Sequence, residues 1–331
     1  MGCQQDSGDG DERSVAETDS ADAGPELRGE LDTVRRTSAV ESVPESSVLT
    51  DRMRSFLRAR RLSVASACDG DRPVVEPCFD EAGFLSVADD TVAWPATALA
   101  DERRALVGPD ERRALSLLAV DWWETTAALR VSGTVTRQSS PPGEAAAGSP
   151  TDWYVLDVAD AELDRQAPLP TLCLGERSGR EPAENTRTTY DRLVAAAEQV
   201  ICAGRLVFLG TPTADGAPRI TPLTGRPGFV QVLDAHTLAW PVYRDAVPVA
   251  ELEESEAATL LFPDSAAADG MVQVSGPVSR YDSVAGATDP GPGDRADDWL
   301  LVDVERVTVS RDTPLPSLSV AGSAPPWASD G

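Results

Sequence analysis

The sequence predicts a mainly β protein made of two tandem copies of one small antiparallel barrel. The first observation is a repeat: DWYVLDVADAELDRQAPLPTL (152–172) returns as DWLLVDVERVTVSRDTPLPSL (298–318), shifted by 146 positions. The second is a series of short β-like runs, separated by turn signals about every eight to twelve residues. Strands of this length and spacing, with one helix inserted, are typical of a small barrel.

Further matches in the same order make the repeat as long as a domain. Trp94-Pro95 matches Trp240-Pro241, and RVSGTVTR (130–137) matches QVSGPVSR (273–280). A repeat of this length is a duplicated domain and not the short unit of a solenoid. The predicted domains are a disordered acidic tail (1–48), a degenerate first half (49–178), a second half (186–321) and a flexible tail (322–331).

The tail at 1–48 is rich in Asp, Glu, Ser and Gly and has few large apolar side chains, which predicts disorder. The first half then opens with an amphipathic helix, DRMRSFLRARR (51–61). Asp51 is the predicted N-cap, and Met53, Phe56 and Leu57 lie on one face. A helix over 188–202 is expected at the same place in the second half.

The strands are predicted from runs of β-branched and apolar residues between turn signals. In the first half they are LSVASA, PVVEPCF, GFLSVA, TVAWP, LSLLAVD, TAALRVSGTVTR and WYVLDVADAEL, with a charged helical stretch before the fifth. In the second half they are RLVFLGTP, APRITPL, GFVQVL, TLAWP, ATLLFP, MVQVSGPVSR and WLLVDVERVTVS, with a helix near 249–254.

The charge and the cysteines exclude several classes of function. The net charge is −26 and every basic residue is arginine, so the surface repels nucleic acid and anionic membranes. The acids are spread along the chain. This distribution favours adaptation to concentrated salt, or a GC-rich genome, over the alternative that they form a binding face for a basic partner. The apolar runs are too short to span a bilayer, and no apolar leader begins the chain. Five cysteines without a CxxC motif predict reduced thiols in a cytoplasm.

One stretch carries a family resemblance. LVFLGTPTADGAPRITPLTGRPGFVQVLDAHTLAWPVY (206–243) resembles the pyridoxamine 5'-phosphate oxidase-like family, the FMN-binding split barrels. Residues 62–95 resemble the same family more faintly. The resemblance implies a split barrel in each half. It also implies an intramolecular pseudo-dimer, since the family works as homodimers with flavin in the clefts between protomers, and the chain is then a monomer.

The resemblance also implies a cofactor site in the second half. The family grips the flavin phosphate with an Asn-Arg pair, but Ala246 and Val247 stand there in the second half, and Ala100 and Asp101 in the first. Arginines of the second half are therefore expected to hold the phosphate, and aromatic side chains to wall the ring. The predicted cofactor-binding residues are Arg219, Thr221, Arg226, Phe229, Trp240, Tyr243 and Arg244.

Alternatives stay open at this point. Each arginine also fits a surface ion pair, and Trp94 and Trp240 also fit a barrel core. The only histidine, His236, lies in a predicted hairpin turn, so no catalytic residue and no metal site are assigned. The first function is an oxidoreductase that binds FMN, or a deazaflavin as cosubstrate, and a small-molecule substrate. The second is a degenerate split barrel without flavin that serves as a binding or structural module.

The resemblance generates a test that separates the halves. Replacing Arg226 and Arg244 together by Ala is expected to abolish FMN binding, since they would hold the phosphate. Replacing Arg103 and Arg104 by Ala is expected to leave FMN binding intact. These two arginines lie beside acidic residues and are expected to pair with them. Fluorescence quenching of FMN measures both, and damage by the first-half change would contradict the assignment.

The net charge generates a test of stability. Self-repulsion among the acids destabilises the fold at low ionic strength, and salt screens it. The melting temperature is therefore expected to rise with salt in a scan followed by circular dichroism. A flat or falling response would contradict adaptation to salt and leave genome composition as the account.

Overall fold

The computed structural model describes the two halves apart from several loops. All described residues belong to the compact unit 42–331, which is distinct from the unit 1–41. The described residues are 49–99 (except 71 and 82), 106–139 (except 109 and 122–126), 152–164, 172–177, 186–242, 257–288 (except 265–269), 298–311 and 316–320. The predictions made for 1–48, 249–254 and 322–331 lie outside them.

The described elements of the first half are one helix, one short 3-10 turn and eight strands. They are α1 (Asp51–Arg58), β1 (Leu62–Asp69), β2 (Arg72–Phe79), β3 (Ser86–Ala88), β4 (Thr91–Pro95), the 3-10 turn (Ala96–Ala98), β5 (Arg112–Val120), β6 (Ala128–Gln138), β7 (Trp153–Asp164) and β8 (Leu172–Arg177).

The described elements of the second half are one helix and eleven strands. They are β9 (Thr186–Tyr190), α2 (Ala195–Ala203), β10 (Leu206–Pro212), β11 (Pro218–Thr224), β12 (Gln231–Asp234), β13 (Thr237–Val242), β14 (Ala258–Pro263), β15 (Gly270–Gly276), β16 (Val278–Tyr281), β17 (Asp298–Asp303), β18 (Arg306–Arg311) and β19 (Pro316–Val320).

The predicted first helix exists, but its N-cap is Thr50 and not Asp51. The Thr50 hydroxyl accepts a hydrogen bond from the Met53 N–H at 3.3 Å. Asp51 lies in the first turn, where its negative charge interacts favourably with the positive end of the helix dipole. Met53 and Leu57 are buried, as the amphipathic pattern predicts.

Two helix predictions are corrected by strand pairing. The helix predicted over 188–202 begins only at Ala195, because residues 186–190 pair with β18 as β9. Thr-Arg-Thr-Thr-Tyr is rich in β-branched residues, which fit an edge strand. Arg112 and Arg113, predicted in a charged helix, begin β5 and pair with Thr136 and Val135.

Both halves are mainly β with antiparallel pairing, as the sequence predicts. The first half forms one sheet in the order β2-β1-β5-β6-β7-β4-β3. The second half repeats this order in two sheets, β11-β10-β14-β15-β18-β9 and β12-β13-β17-β16, with β9 as an additional edge strand. There are two sheets because the long strands β6 and β7 correspond to the split pairs β15/β16 and β17/β18. None of these ladders closes into a barrel within the described residues. No described helix has the length and apolarity needed to traverse a membrane.

Each half folds around its own apolar core. In the first half, Cys78 of β2 and Val92 of β4 belong to one buried cluster although their strands lie near opposite ends of the sheet. In the second half one cluster joins the two sheets, since it contains Leu223 of β11 from one and Leu238 of β13 from the other. Trp94 and Trp240, matched by the repeat, lie in these two cores.

The structure explains why two glycines recur in the repeat. A Cβ on Gly133 would lie 2.0 Å from the carbonyl oxygen of Asp157, and one on Gly276 would lie 1.8 Å from that of Asp303. Real Cβ atoms do not approach this closely. The glycine of each VSG motif is therefore required by the close approach of the neighbouring strand, which carries the repeated Asp-Val. The two motifs therefore recur together.

A second pair of repeated residues forms an ion pair in each half. Arg137 donates to the Asp152 carboxylate at 2.6 Å, and Arg280 donates to the carboxylate of Asp298. The hydrogen bond to the carboxylate raises the pKa of each guanidinium. The arginine that ends the VSG motif thus binds the Asp of the Asp-Trp that opens the 21-residue repeat.

The halves meet through a buried apolar boundary that uses matching positions from both. Its members are Leu62, Val64, Val75, Phe79, Leu118, Val120 and Ala128 from the first half and Leu206, Phe208, Ile220, Leu261 and Met271 from the second. Arg130 Nε donates to the Ile220 carbonyl at 3.2 Å, and Gln273 Nε2 donates to the Val75 carbonyl at 2.7 Å. The strand registers make these equivalent bonds that run in opposite directions. Reciprocal contacts are the property that a pseudo-dimer requires; the duplication itself stays a prediction.

The repeated Pro-Leu-Pro segments lead into strands that pair with each other. β8 and β19 form a two-stranded antiparallel ladder, with Leu172 opposite Val320 and Leu174 opposite Leu318. Cys173 is opposite Ser319, its counterpart in the repeat. This pairing is symmetric about that central position.

The close approach of the VSG glycines generates a test. Replacing Gly133 or Gly276 by Ala is expected to lower the free energy of unfolding by roughly 3 kcal/mol or more, since the added methyl meets fixed backbone. Gly108→Ala is the control, because its Cβ would meet only the Glu111 side chain, at 3.1 Å. Urea unfolding measures all three variants. Equal stability of the three would contradict the role given to these glycines.

Candidate functional site

The residues predicted to bind a cofactor lie in three different places of the second half. Arg219 and Thr221 are on β11 at the boundary between the halves. Phe229 and Trp240 lie in the core, and Arg226 lies on the surface in the turn after β11. Tyr243 and Arg244 are outside the described residues, as are the positions of the family's Asn-Arg pair.

Arg219 is an ion-pair residue of the boundary. Its Nη2 lies 3.9 Å from the Glu162 carboxylate of the first half, and its side chain is 23% exposed. Arg130 of the first half binds the same carboxylate. Thr221, two residues further along β11, is half-buried and shares a strand face with Arg219. The boundary thus brings together two guanidiniums, one from each half, on one carboxylate.

Phe229 and Trp240 contribute to the core. Phe229 is 7% exposed and Trp240 is 2% exposed. The indole N–H of Trp240, like that of Trp94, is buried without a hydrogen-bond partner among the described residues. These two rings therefore have no exposed face on which a flavin could stack.

Arg226 lies on an exposed turn whose backbone is hydrogen-bonded to that of Arg205. The Gly225 N–H donates to the Arg205 carbonyl at 3.0 Å, and the Phe229 N–H donates to the Arg226 carbonyl at 2.9 Å. Gly228 has φ +81°, a left-handed conformation that glycine adopts without strain. A Cβ on Gly225 would lie 2.3 Å from the Phe229 ring, so the ring packs on this glycine. We call Arg205 with residues 225–229 the basic turn.

The first half has a turn of the same geometry and opposite charge. The Asp80 N–H donates to the Arg61 carbonyl at 3.2 Å, and the Phe84 N–H donates to the Glu81 carbonyl at 3.2 Å. Gly83, at the position of Gly228, has φ +93°. Asp80 and Glu81 are exposed where the second half has Gly225 and Arg226. We call Arg61 with residues 80–84 the acidic turn.

Two of the predicted arginines, Arg219 and Arg226, lie at different places of the second half. Arg219 lies near the start of β11 and Arg226 lies beyond its end at Thr224. At a rise of about 3.4 Å per residue, the strand from Arg219 to Thr224 covers about 17 Å. Arg219 and Arg226 therefore belong to separate places, the boundary and the basic turn.

Sequence reasoning missed Arg205 and Arg130. Both recur as basic or polar positions in the repeat, since Arg205 matches Arg61 and Arg130 matches Gln273. The signal was present in the aligned halves, but the partners of both residues come from other strands, which one strand's pattern does not reveal.

One carboxylate, Glu76, is fully buried near the boundary. Its Oε1 lies 3.3 Å from Gln273 Nε2. Burial raises the pKa of the neighbouring Cys78 thiol, and the negative charge of Glu76 raises it further. Thr221 is at the matching position of the second half, so the carboxylate is peculiar to one side of the boundary.

His236 is part of a hairpin turn, as predicted. Its backbone N–H donates to the Asp234 carboxylate at 2.7 Å, and this bond is the main reason that the pKa of Asp234 is lowered. No cluster of three or more His, Cys, Asp or Glu side chains suited to a metal ion occurs within the described part of the chain.

Comparison with known proteins gives only distant structural likeness. No family model matches this chain, and no curated protein matches it. A protein related to general stress protein 26, of the pyridoxinephosphate oxidase family from Clostridium acetobutylicum, is 15% identical over 38% of this chain and 92% of its own, with a TM-score of 0.29.

Two further solved structures are similar over a comparable share. The FAD binding protein from Mycobacterium smegmatis is 17% identical over 38% of this chain and 98% of its own, with a TM-score of 0.26. HupZ from Group A Streptococcus is 16% identical over 35% of this chain and 91% of its own, with a TM-score of 0.28. Each of these likenesses spans little more than a third of the chain.

Proposed function

We propose that the protein is an oxidoreductase that binds a phosphorylated flavin, FMN or a deazaflavin cosubstrate, through its second half, and acts on a small molecule. The observation that supports this most is the basic turn. Arg226 belongs to the stretch 206–243 that resembles the FMN-binding split barrels, and Arg205, directly before that stretch, is bonded through its carbonyl to the N–H of Gly225, the neighbour of Arg226.

The charges of the basic turn suit a phosphate. Arg226 is exposed and Arg205 is half-buried, and no ion pair joins either to another residue that the structure describes. Residues 204–230 contain a single acid, Asp215, which lies in the hairpin turn before β11. Guanidinium groups bind phosphate with paired, charge-assisted hydrogen bonds. Among the described residues, the positive charge of the turn therefore has no carboxylate partner.

The fit of the residues to a flavin is good for the phosphate and poor for the ring. Arg205 and Arg226 would hold the phosphate, while the flavin ring itself would supply the redox chemistry. Phe229 and Trp240 are buried, so they do not wall the ring. Arg219 is part of the boundary ion pair, and the ring has no assigned partner within the described ranges.

The burial of those rings favours a second candidate function. A split barrel that binds no flavin would keep Phe229 and Trp240 as core residues and the boundary as packed apolar surface, as observed. Such a protein would serve as a binding or structural module. Colour separates the candidates, since only a flavoprotein absorbs in the flavin bands or quenches FMN fluorescence.

Titration of FMN into the purified full-length protein tests the proposal. Arg226→Ala is expected to weaken FMN binding roughly tenfold to a hundredfold, because it removes a charge-assisted contact to phosphate. Arg112→Ala is the matched control. Arg112 is an exposed arginine of the first half, and its Nη2 lies 3.5 Å from the carboxylate of Asp157 in the same half. Riboflavin, which has no phosphate, is expected to be insensitive to Arg226→Ala. A protein that never quenches FMN fluorescence would support the flavin-free module instead.

A further inference from the structure

The two turns have the same backbone and opposite charge, and from this we infer that the chain binds one phosphorylated ligand and not two. The basic turn holds the ligand, with Arg205 as its second cation, and the acidic turn holds none. The inference rests on the proposed function and adds to it the number of sites on the chain.

Backbone geometry does not distinguish the two turns. Both share the same two hydrogen bonds, each has a glycine with positive φ at the same place, and both have phenylalanine after that glycine. Arg61 and Arg205 each follow soon after a helix, α1 or α2, so the negative end of a helix affects both alike. A difference in ligand binding must come from the side chains.

The side chains differ in the sign of their charge. The basic turn contains Arg205 and Arg226, and Gly225 lies between the end of β11 and Arg226. The acidic turn offers one arginine, Arg61, against Asp80 and Glu81. The Asp80 carboxylate also accepts the Glu81 N–H at 2.8 Å, so it occupies a backbone donor that an anion would otherwise use. A phosphate is attracted to the basic turn and repelled by the acidic turn.

Gly225 adds a steric reason. A Cβ there would overlap the Phe229 ring, so the ring packs flat on the turn and is buried. Asp80 supplies that Cβ in the first half, and the matching Phe84 is only half-buried. The basic turn thus has its ring withdrawn into the core, which leaves the arginines as the groups that meet solvent.

Equilibrium dialysis of the full-length protein against FMN counts the sites. The expected result is one FMN per chain. Arg205→Ala is expected to weaken binding at least roughly tenfold by removing a cation from the phosphate. Arg61→Ala is the matched control, since it removes the corresponding arginine of the acidic turn, and it should leave binding unchanged. The double change Asp80→Gly with Glu81→Arg is expected to raise the number of bound FMN to two.

Each other result contradicts something definite. Two FMN per unmodified chain would overturn the single-site inference and leave the proposed function standing. No FMN on the unmodified chain would overturn the proposed function and the inference with it. Equal loss in Arg205→Ala and Arg61→Ala, or a double variant that folds with an unchanged melting temperature and still binds one FMN, would overturn the role given to the charges.

Discussion

The packing of β1 and β2 of the first half against β10, β11 and β14 of the second is the interaction on which the rest of the molecule depends. It buries matching apolar residues from both halves and satisfies three backbone carbonyls, those of Pro73, Val75 and Ile220, with side chains from the opposite half. A buried carbonyl without a partner would cost about 1–3 kcal/mol, so Arg130 and Gln273 fix how the halves meet. The boundary ion pair of Arg219 with Glu162 exists only because of this packing.

The two halves share their backbone features but differ in the charge of several side chains. The glycines of the VSG motif, the Arg–Asp pairs and the buried tryptophans are common to both, and all of them position strands. Charges differ where side chains meet solvent or the boundary: Glu76 against Thr221, and Asp80 and Glu81 against Gly225 and Arg226. The residues that position the strands are thus a different group from those that give the two halves different charges.

The strands could be predicted because alternation and turn residues are local properties. Trp-Pro at the end of β4 and β13, and Gly-Phe after the turns, also lie where the repeat indicates. The helix predicted over 188–202 failed at its start because β18 offers residues 186–190 a ladder partner that the local sequence does not show. Arg219 was predicted to hold a phosphate as one of the arginines of the second half, but its partner Glu162 lies in the other half. The burial of Phe229 depends on Gly225, a contact set by the turn.

The ladder between β8 and β19 has a consequence for how the chain folds. The backbone partner of Leu172 is Val320, which follows it in the chain by more than the length of a whole half. During synthesis the first half is therefore complete, core included, long before its last strand has a partner. Contacts between residues so distant in sequence slow folding, because a large loop must close before they form. The last strand of the first half thus remains unpaired, with its edges open to other strands, until the ribosome has made β19.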